Sequence, residues 1–111
     1  MKTTYTFRNG LCHISLQGVL TAAGLFKLKR IFKLALAEDI REIWINCAEL
    51  TDVELPVLTN LTLYQHVLEE KNITLLFTSL TPYLHSLLAK HHLDVALSVA
   101  DTSVATQQDE S

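Results

Sequence analysis

Glycine is scarce in this chain of 111 residues: Gly10, Gly18 and Gly24 are all it contains. They are too scattered for a phosphate-cradling loop, and no Gly-x-Ser-x-Gly nucleophile elbow can be read. Cysteine is nearly as rare. Cys12 and Cys47 both fall in predicted strands, where a thiol acts as a small hydrophobe. Nothing points to an oxidising compartment, so no disulfide is expected. Positive charge is in deficit, with 9 Lys and Arg against 12 Asp and Glu, a net charge of −3. That balance gives no basic footprint for nucleic acid. Long apolar runs are missing too. Lys27, Lys29, Arg30 and Lys33, and later Asp94, interrupt the apolar stretches well short of the ~20 residues a membrane span needs. Residues 1–10 lack the basic and apolar regions of a secretion signal. A cytoplasmic protein is expected.

What is present argues for folding. Hydrophobic residues make up 49% of the chain and charged ones 19%, enough for one core in a chain of this length. A single domain over residues 1–108 is expected, with 109–111 as a frayed tail.

Two short runs, residues 4–7 and 11–16, flank Arg8-Asn9-Gly10, and Asn-Gly is a strong hairpin signal. Cys12, Ile14 and Leu16 alternate with Leu11, His13 and Ser15, so one face of the second strand should be buried. Residues 18–20 bridge to a helix that Thr21 can cap. Its buried stripe reads Leu25, Leu28, Ile31, Phe32, Ala35 and Leu36. Residues 43–47 form a third strand, followed by an eight-residue mixed loop and a helix reaching about Glu70. Residues 73–78 form another strand. Thr81 and Pro82 then open a helix with Tyr83, Leu84, Leu87 and Leu88 as its apolar stripe, ending by His92. Residues 95–99 read as a last strand, and Asp101 or Thr102 can cap a final short helix. The expected fold is α/β, in the order β-β-α-β-α-β-α-β with a possible final α: an antiparallel N-terminal hairpin, parallel central strands, and helices packed on the sheet.

The junction between the third strand and the central helix organises the rest. Pro56 suits the first helical position, which places Leu55 at the N-cap. Leucine has no oxygen for the free N–H groups of the first turn, and Glu54 is the nearest favourable charge.

These residues resemble the sulphate transporter and anti-sigma factor antagonist (STAS) domain across about residues 4 to 108. Gly18-Val19-Leu20-Thr21 lies on that family's Gly-x-Leu-Asp pattern. Residues 46–61 lie without gaps on Asp-Leu-Ser-x-Val-x-x-Ile-Asp-Ser-Ser-Gly-Leu-x-x-Leu. Leu50, Val53, Leu58 and Leu61 keep the apolar positions. Asn46 and Glu54 replace the two Asp residues, Leu55 the acceptor Ser, Pro56 the next Ser and Val57 the Gly. The resemblance implies a non-catalytic protein-interaction module without a phosphoacceptor, since Leu55 has no hydroxyl; Thr51 and Thr59 are less favoured substitutes. It also implies the kind of partner: an anti-sigma or serine-kinase-like protein, a signalling assembly, or the ATPase of a lipid transporter.

At about 100° per residue the central helix turns Val57, Leu58, Leu61, Tyr64 and Leu68 to the sheet. Leu55, Thr59, Leu63, His66 and Val67 face outward, more aliphatic surface than scattered leucines account for. The expected partner surface is Leu55, Pro56, Thr59, Leu63 and His66, with Asp52 and Glu54 at its rim. A homodimer through this face is one alternative. Another is a metabolite held at the strand carboxyl ends by Asn46, Asp52 and Glu54.

Catalysis finds little support. His91 and His92 point apart on a helix and only Asp94 lies near them, while His13, His66 and His85 stand alone, so no metal site is expected. Glu49, Asp52 and Glu54 read as a solvated acidic loop rather than an acid-base pair. No cofactor is implied.

Overall fold

In the computed structural model, which describes residues 2–91, the chain opens as a hairpin of β1 (Lys2–Arg8) and β2 (Leu11–Leu20). Arg8 pairs with Leu11, and Asn9 (φ 50°) and Gly10 (φ 79°) form the two-residue turn with both φ values positive. Such a turn matches the right-handed twist of the strands. The Gly10 carbonyl accepts the N–H groups of Arg41 (2.8 Å) and Glu42 (3.2 Å), which sets the start of the next strand beside the hairpin.

The order continues α1 (Ala22–Ala37), β3 (Glu42–Val53), α2 (Leu55–Glu70), β4 (Thr74–Thr78) and α3 (Pro82–Lys90). This is the expected sequence of elements. The strand expected at 95–99, the helix from Asp101 or Thr102, and His92 and Asp94 lie outside the described residues. The sheet order is β1-β2-β3-β4, antiparallel between β1 and β2 and parallel thereafter. No helix among the described residues is long and apolar enough to cross a membrane.

One face of the sheet carries the core. Cys12, Ile14 and Leu16 of β2, Ile43, Ile45 and Cys47 of β3, and Leu75 and Phe77 of β4 are all buried. Leu28 of α1, Leu58 and Leu61 of α2, and Leu84 and Leu88 of α3 line one small apolar cavity, of about 20 Å³, with Leu16, Cys47 and Phe77. All three helices therefore cover that same face. The other face presents His13, Trp44 and Leu76 side by side across three strands.

Both inner strands run further than expected. β2 continues through Gly18 to Leu20, and β3 continues through the stretch read as a loop to Val53. The reason is visible in the pairing. Ser15 opposes Asn46 while Gln17 opposes Glu49, and Gly18 opposes Leu50 while Val19 opposes Asp52, so β3 carries two extra residues. Each bulge shifts the buried position by one. Burial in β3 therefore falls at Ile43, Ile45 and Cys47, then at Leu50 and Val53. Spacing of two, then of three, hides the strand from a search for strict alternation.

Three side chains sit differently from expectation. Leu36 and Tyr83 are exposed, because α1 and α3 each present a narrower apolar stripe to the sheet. Tyr64 is only half buried: its ring meets Phe32 at 5.6 Å and lies under Lys29 Nζ at 5.4 Å, so it packs toward α1. Gln65 is buried on the sheet side instead.

Helices α1 and α2 end alike. Asp39 (φ 57°) and Asn72 (φ 64°) take the left-handed conformation, and the following N–H groups of Ile40 and Ile73 reach back to Ala35 (3.2 Å) and Leu68 (2.9 Å). Both isoleucines are buried, which completes the hydrophobic half of the Schellman motif. Glycine is the least strained residue there. Asp39→Gly is expected to raise the urea midpoint by about 0.5 kcal/mol of stability, the relief of ~1–2 kcal/mol of left-handed strain exceeding the ~0.4–1 kcal/mol that glycine's freer unfolded chain costs, and an unchanged or lower midpoint contradicts this account of the cap.

Burial pushes the Cys12 thiol up to about 11 and the Cys47 thiol to about 12 from 9.0. Below pH 9 the thiol holds its proton in both folded and unfolded chains; above 9 only the unfolded chain ionises, up to about 11 for Cys12 and about 12 for Cys47. Stability is lost as pH rises through that window, by up to about 1.4 kcal/mol per pH unit for each thiol. Wild type should accordingly lose its advantage over Cys47→Ala as denaturation is repeated from pH 8.5 to 10.5; a gap that does not narrow argues that the thiol is not held neutral.

Candidate functional site

The carboxyl end of β3 and the amino end of α2 meet at Val53, Glu54 and Leu55. Glu54 is extended (φ −67°, ψ 138°) and is the N-cap of α2, so Leu55 is the first helical residue and Pro56 the second. This corrects the expectation of Leu55 at the cap. Pro56 tolerates the position because its missing N–H and fixed φ cost nothing in the first turn.

The Glu54 carboxylate does not cap α2. Its Oε1 accepts the N–H of Ala22 at 3.1 Å, the first residue of α1. Its own N–H continues the ladder to the Leu20 carbonyl at 3.1 Å. Glu54 thus ties the starts of two helices together, and supplements a long cap in which Thr21 Oγ1 accepts the N–H of Gly24 at 3.5 Å. A carboxylate against the positive end of α1 is favourable.

The amino end of α2 is poorly furnished for anions. Pro56 has no N–H, and the N–H groups of Val57 (3.0 Å) and Leu58 (3.2 Å) both turn back to the Glu54 carbonyl. Among the described residues, this end retains little of the donor cluster that holds a phosphate.

Asp52 is also engaged. Its Oδ1 accepts from Val53 N at 2.8 Å and from the Tyr83 hydroxyl at 3.0 Å, tying β3 to α3. The hydrogen bond to Asp52, aided by desolvation and by the carboxylate's charge, raises the Tyr83 phenol above its usual value. Asn46 Oδ1 accepts from Ala48 N at 2.9 Å and so shapes the first bulge of β3. The three groups expected to contact a metabolite, Asn46, Asp52 and Glu54, are each committed to holding the fold. The cavity beneath them is apolar and has room for about one water.

The outer face of α2 is open as expected. Leu55, Leu63 and Val67 are 45%, 58% and 45% exposed, and Pro56, Thr59 and His66 are exposed beside them. Leu55, Thr59, Leu63 and Val67 follow one another at four-residue intervals and form a single row. The Thr59 hydroxyl donates to the Leu55 carbonyl at 3.4 Å, and Thr62 to the Thr59 carbonyl at 2.6 Å, so both turn in toward the helix backbone. Glu54 directly precedes Leu55 in sequence, and Asp52 lies two residues before Glu54, so both sit toward the amino end of this row. Tyr83 joins this junction from α3 although helical spacing alone puts it in the apolar stripe of that helix. No group of three or more His, Cys, Asp and Glu residues able to hold a metal occurs among the described residues.

No protein-family model and no curated protein matches this sequence. Solved structures do. The anti-sigma factor antagonist SpoIIAA in its unphosphorylated form is 12% identical, with 98% of each chain covered and a TM-score of 0.71. The phosphorylated form of this Bacillus cell fate determinant gives a TM-score of 0.69 at 13% identity, with 96% of this chain and 98% of that one covered. An anti-sigma factor antagonist of Mycobacterium paratuberculosis, 14% identical, gives 0.67 over 88% of this chain and 83% of that one. The chain has the STAS fold of the anti-sigma factor antagonists.

Removing the Glu54 carboxylate should cost stability through α1, not α2. Glu54→Ala is expected to lower stability by about 0.5–1 kcal/mol and Glu54→Gln by less, because an amide oxygen still accepts from Ala22. Amide exchange shows which helix loosens: faster exchange at Ala22 and Ala23 supports the tie, and a loss confined to the first turn of α2 refutes it.

Proposed function

We propose that this chain is a non-catalytic protein-interaction module of the anti-sigma factor antagonist type, acting in a bacterial cytoplasm. Its partner docks on the outer face of α2, on Leu55, Pro56, Thr59, Leu63 and His66, with Asp52 and Glu54 at the rim. The partner is a regulatory protein of the anti-sigma or serine-kinase-like class, a signalling assembly, or a transporter ATPase. Binding is constitutive with respect to phosphorylation.

The observation that carries this reading is the aliphatic row Leu55, Leu63 and Val67, left 45–58% exposed on a helix whose opposite side is buried at Val57, Leu58, Leu61 and Leu68. Covering half of each such side chain contributes about 1 kcal/mol. A central apolar strip with a polar rim has the anatomy of a docking surface. The likeness of fold to the anti-sigma factor antagonists supports the functional class.

The absence of a switch follows from chemistry at one position. SpoIIAA is known in phosphorylated and unphosphorylated forms. Here Leu55 occupies the position that resembles the family's acceptor Ser, and it has no hydroxyl. The first turn behind it offers few free N–H groups to stabilise an added charge of about −2.

The test compares wild type with the Leu55→Asp, Leu63→Asp double variant in affinity capture from the native cytoplasm, read by mass spectrometry. Both sites are exposed, so circular dichroism and the thermal midpoint should be nearly unchanged. A protein retained by wild type and lost by the variant is the expected outcome. Equal retention by both, or no specific protein with either, removes the α2 face as a partner surface. Light scattering on the same samples identifies the case in which the partner is a second copy of this chain.

A further inference from the structure

The edge strand β1 has β2 on one side and no strand on the other among the described residues. The pair that closes a two-residue hairpin is hydrogen-bonded, so Arg8 directs its backbone groups at Leu11, and Thr6, Thr4 and Lys2 follow by alternation. Thr3, Tyr5 and Phe7 therefore turn their N–H and C=O groups outward. These are the donors and acceptors that an added strand would take up.

The side chains of the same residues make a trough next to that edge. Thr3 and Tyr5 line a groove of about 230 Å³ with Lys27, Arg30, Ile31 and Leu34 of α1. Lys27 and Arg30 are both exposed, and no carboxylate lines the groove. The Thr3 hydroxyl oxygen is buried and lacks a hydrogen-bond partner. Buried polar groups are ordinarily satisfied. Lys2 and Arg8 add positive charge at the two ends of the strand.

We propose that the β1 edge and its groove against α1 accept an extended acidic segment of another protein, which adds to the sheet as a strand beside Thr3, Tyr5 and Phe7 while its carboxylates meet Lys27 and Arg30. A second copy of this chain is the poorer occupant. In an antiparallel pair centred on Tyr5, Lys2 of each copy lies opposite Arg8 of the other, and like charges directly opposite destabilise a sheet. The same two cations that discourage self-pairing select a partner of opposite charge. Main-chain bonds supply affinity and the groove supplies selectivity, as in other strand-addition complexes. This site is separate from the outer face of α2, and neither depends on the other.

The experiment is an amide NMR titration of the isotope-labelled full chain with a capped peptide alternating valine and glutamate, seven residues long to match β1. The amides of Thr3, Tyr5 and Phe7 should shift and gain protection from exchange, while those of Leu63 and Val67 stay still. A peptide alternating valine and lysine should not bind. Lys27→Glu with Arg30→Glu, both at exposed helix positions, should weaken binding roughly tenfold. Tyr5→Pro removes an outward N–H that the hairpin does not use and should abolish binding. If that variant fails to fold, the charge-reversal pair carries the test alone. Unmoved β1 amides at millimolar peptide, equal binding of the lysine peptide, or insensitivity to the charge reversal overturns the proposal.

Discussion

The parallel ladder between β2 and β3 is the interaction on which the rest of the molecule depends. It runs from Leu11 opposite Glu42 to Leu20 opposite Val53, and each strand has a further neighbour on its other side. Its inner face buries Ile14, Ile43 and Ile45 completely. A parallel pair cannot be closed by a short turn, so a helix must carry the chain back, and α1 does so across the face that needs covering. Once that ladder is set, β1 and β4 have edges to join and α2 has a fixed point of departure. The two bulges in β3 add a second constraint. They bend the strand's carboxyl end, so that Val53 still reaches the core while Asp52 reaches Tyr83 and Glu54 reaches Ala22.

Those two carboxylates change the meaning of the junction. An acidic residue before a helix usually serves that helix, either as a cap or as a partner for its dipole. Glu54 serves the neighbouring helix instead, and Asp52 is held by a tyrosine from a third. The junction is cross-braced, and its polar groups are spent on that bracing. What it presents outward is aliphatic. A surface of this kind discriminates by shape and apolar area, and it cannot be switched by adding a phosphate to a leucine.

Much of this was legible in the sequence because the strongest local signals coincide with the architecture. Asn9-Gly10 announced the hairpin, Thr21 and Thr81 announced two helix starts, and the alternation of Cys12, Ile14 and Leu16 announced a buried face. The exposed row on α2 followed from helical period alone, since Val57, Leu58, Leu61 and Leu68 left no other side to bury. What escaped were features set by long-range pairing. The strand beyond Cys47 was hidden because bulges are defined by the partner strand, and β3 alone shows only irregular spacing. Glu54 and Asp52 looked like solvated acids because their partners, Ala22 and Tyr83, lie 32 and 31 residues away. Leu55 is the first helical residue and not the cap because proline is acceptable at either of the first two helical positions.

The contrast between the two ends of the molecule's binding potential is physical. The α2 row offers apolar area and almost no hydrogen bonding, so a partner there must bring a complementary apolar surface already in shape. The β1 edge offers main-chain hydrogen bonds and a basic trough, so a partner there can be an unstructured segment that orders as it binds. An apolar contact is not weakened by salt and a charged one is, because exposed charges are screened over about 10 Å at moderate ionic strength. If both proposed contacts form, the aliphatic face of α2 and the charged edge of β1 are separate enough in kind to be occupied together, and neither contact has to open the core that Ile43 and Ile45 keep closed.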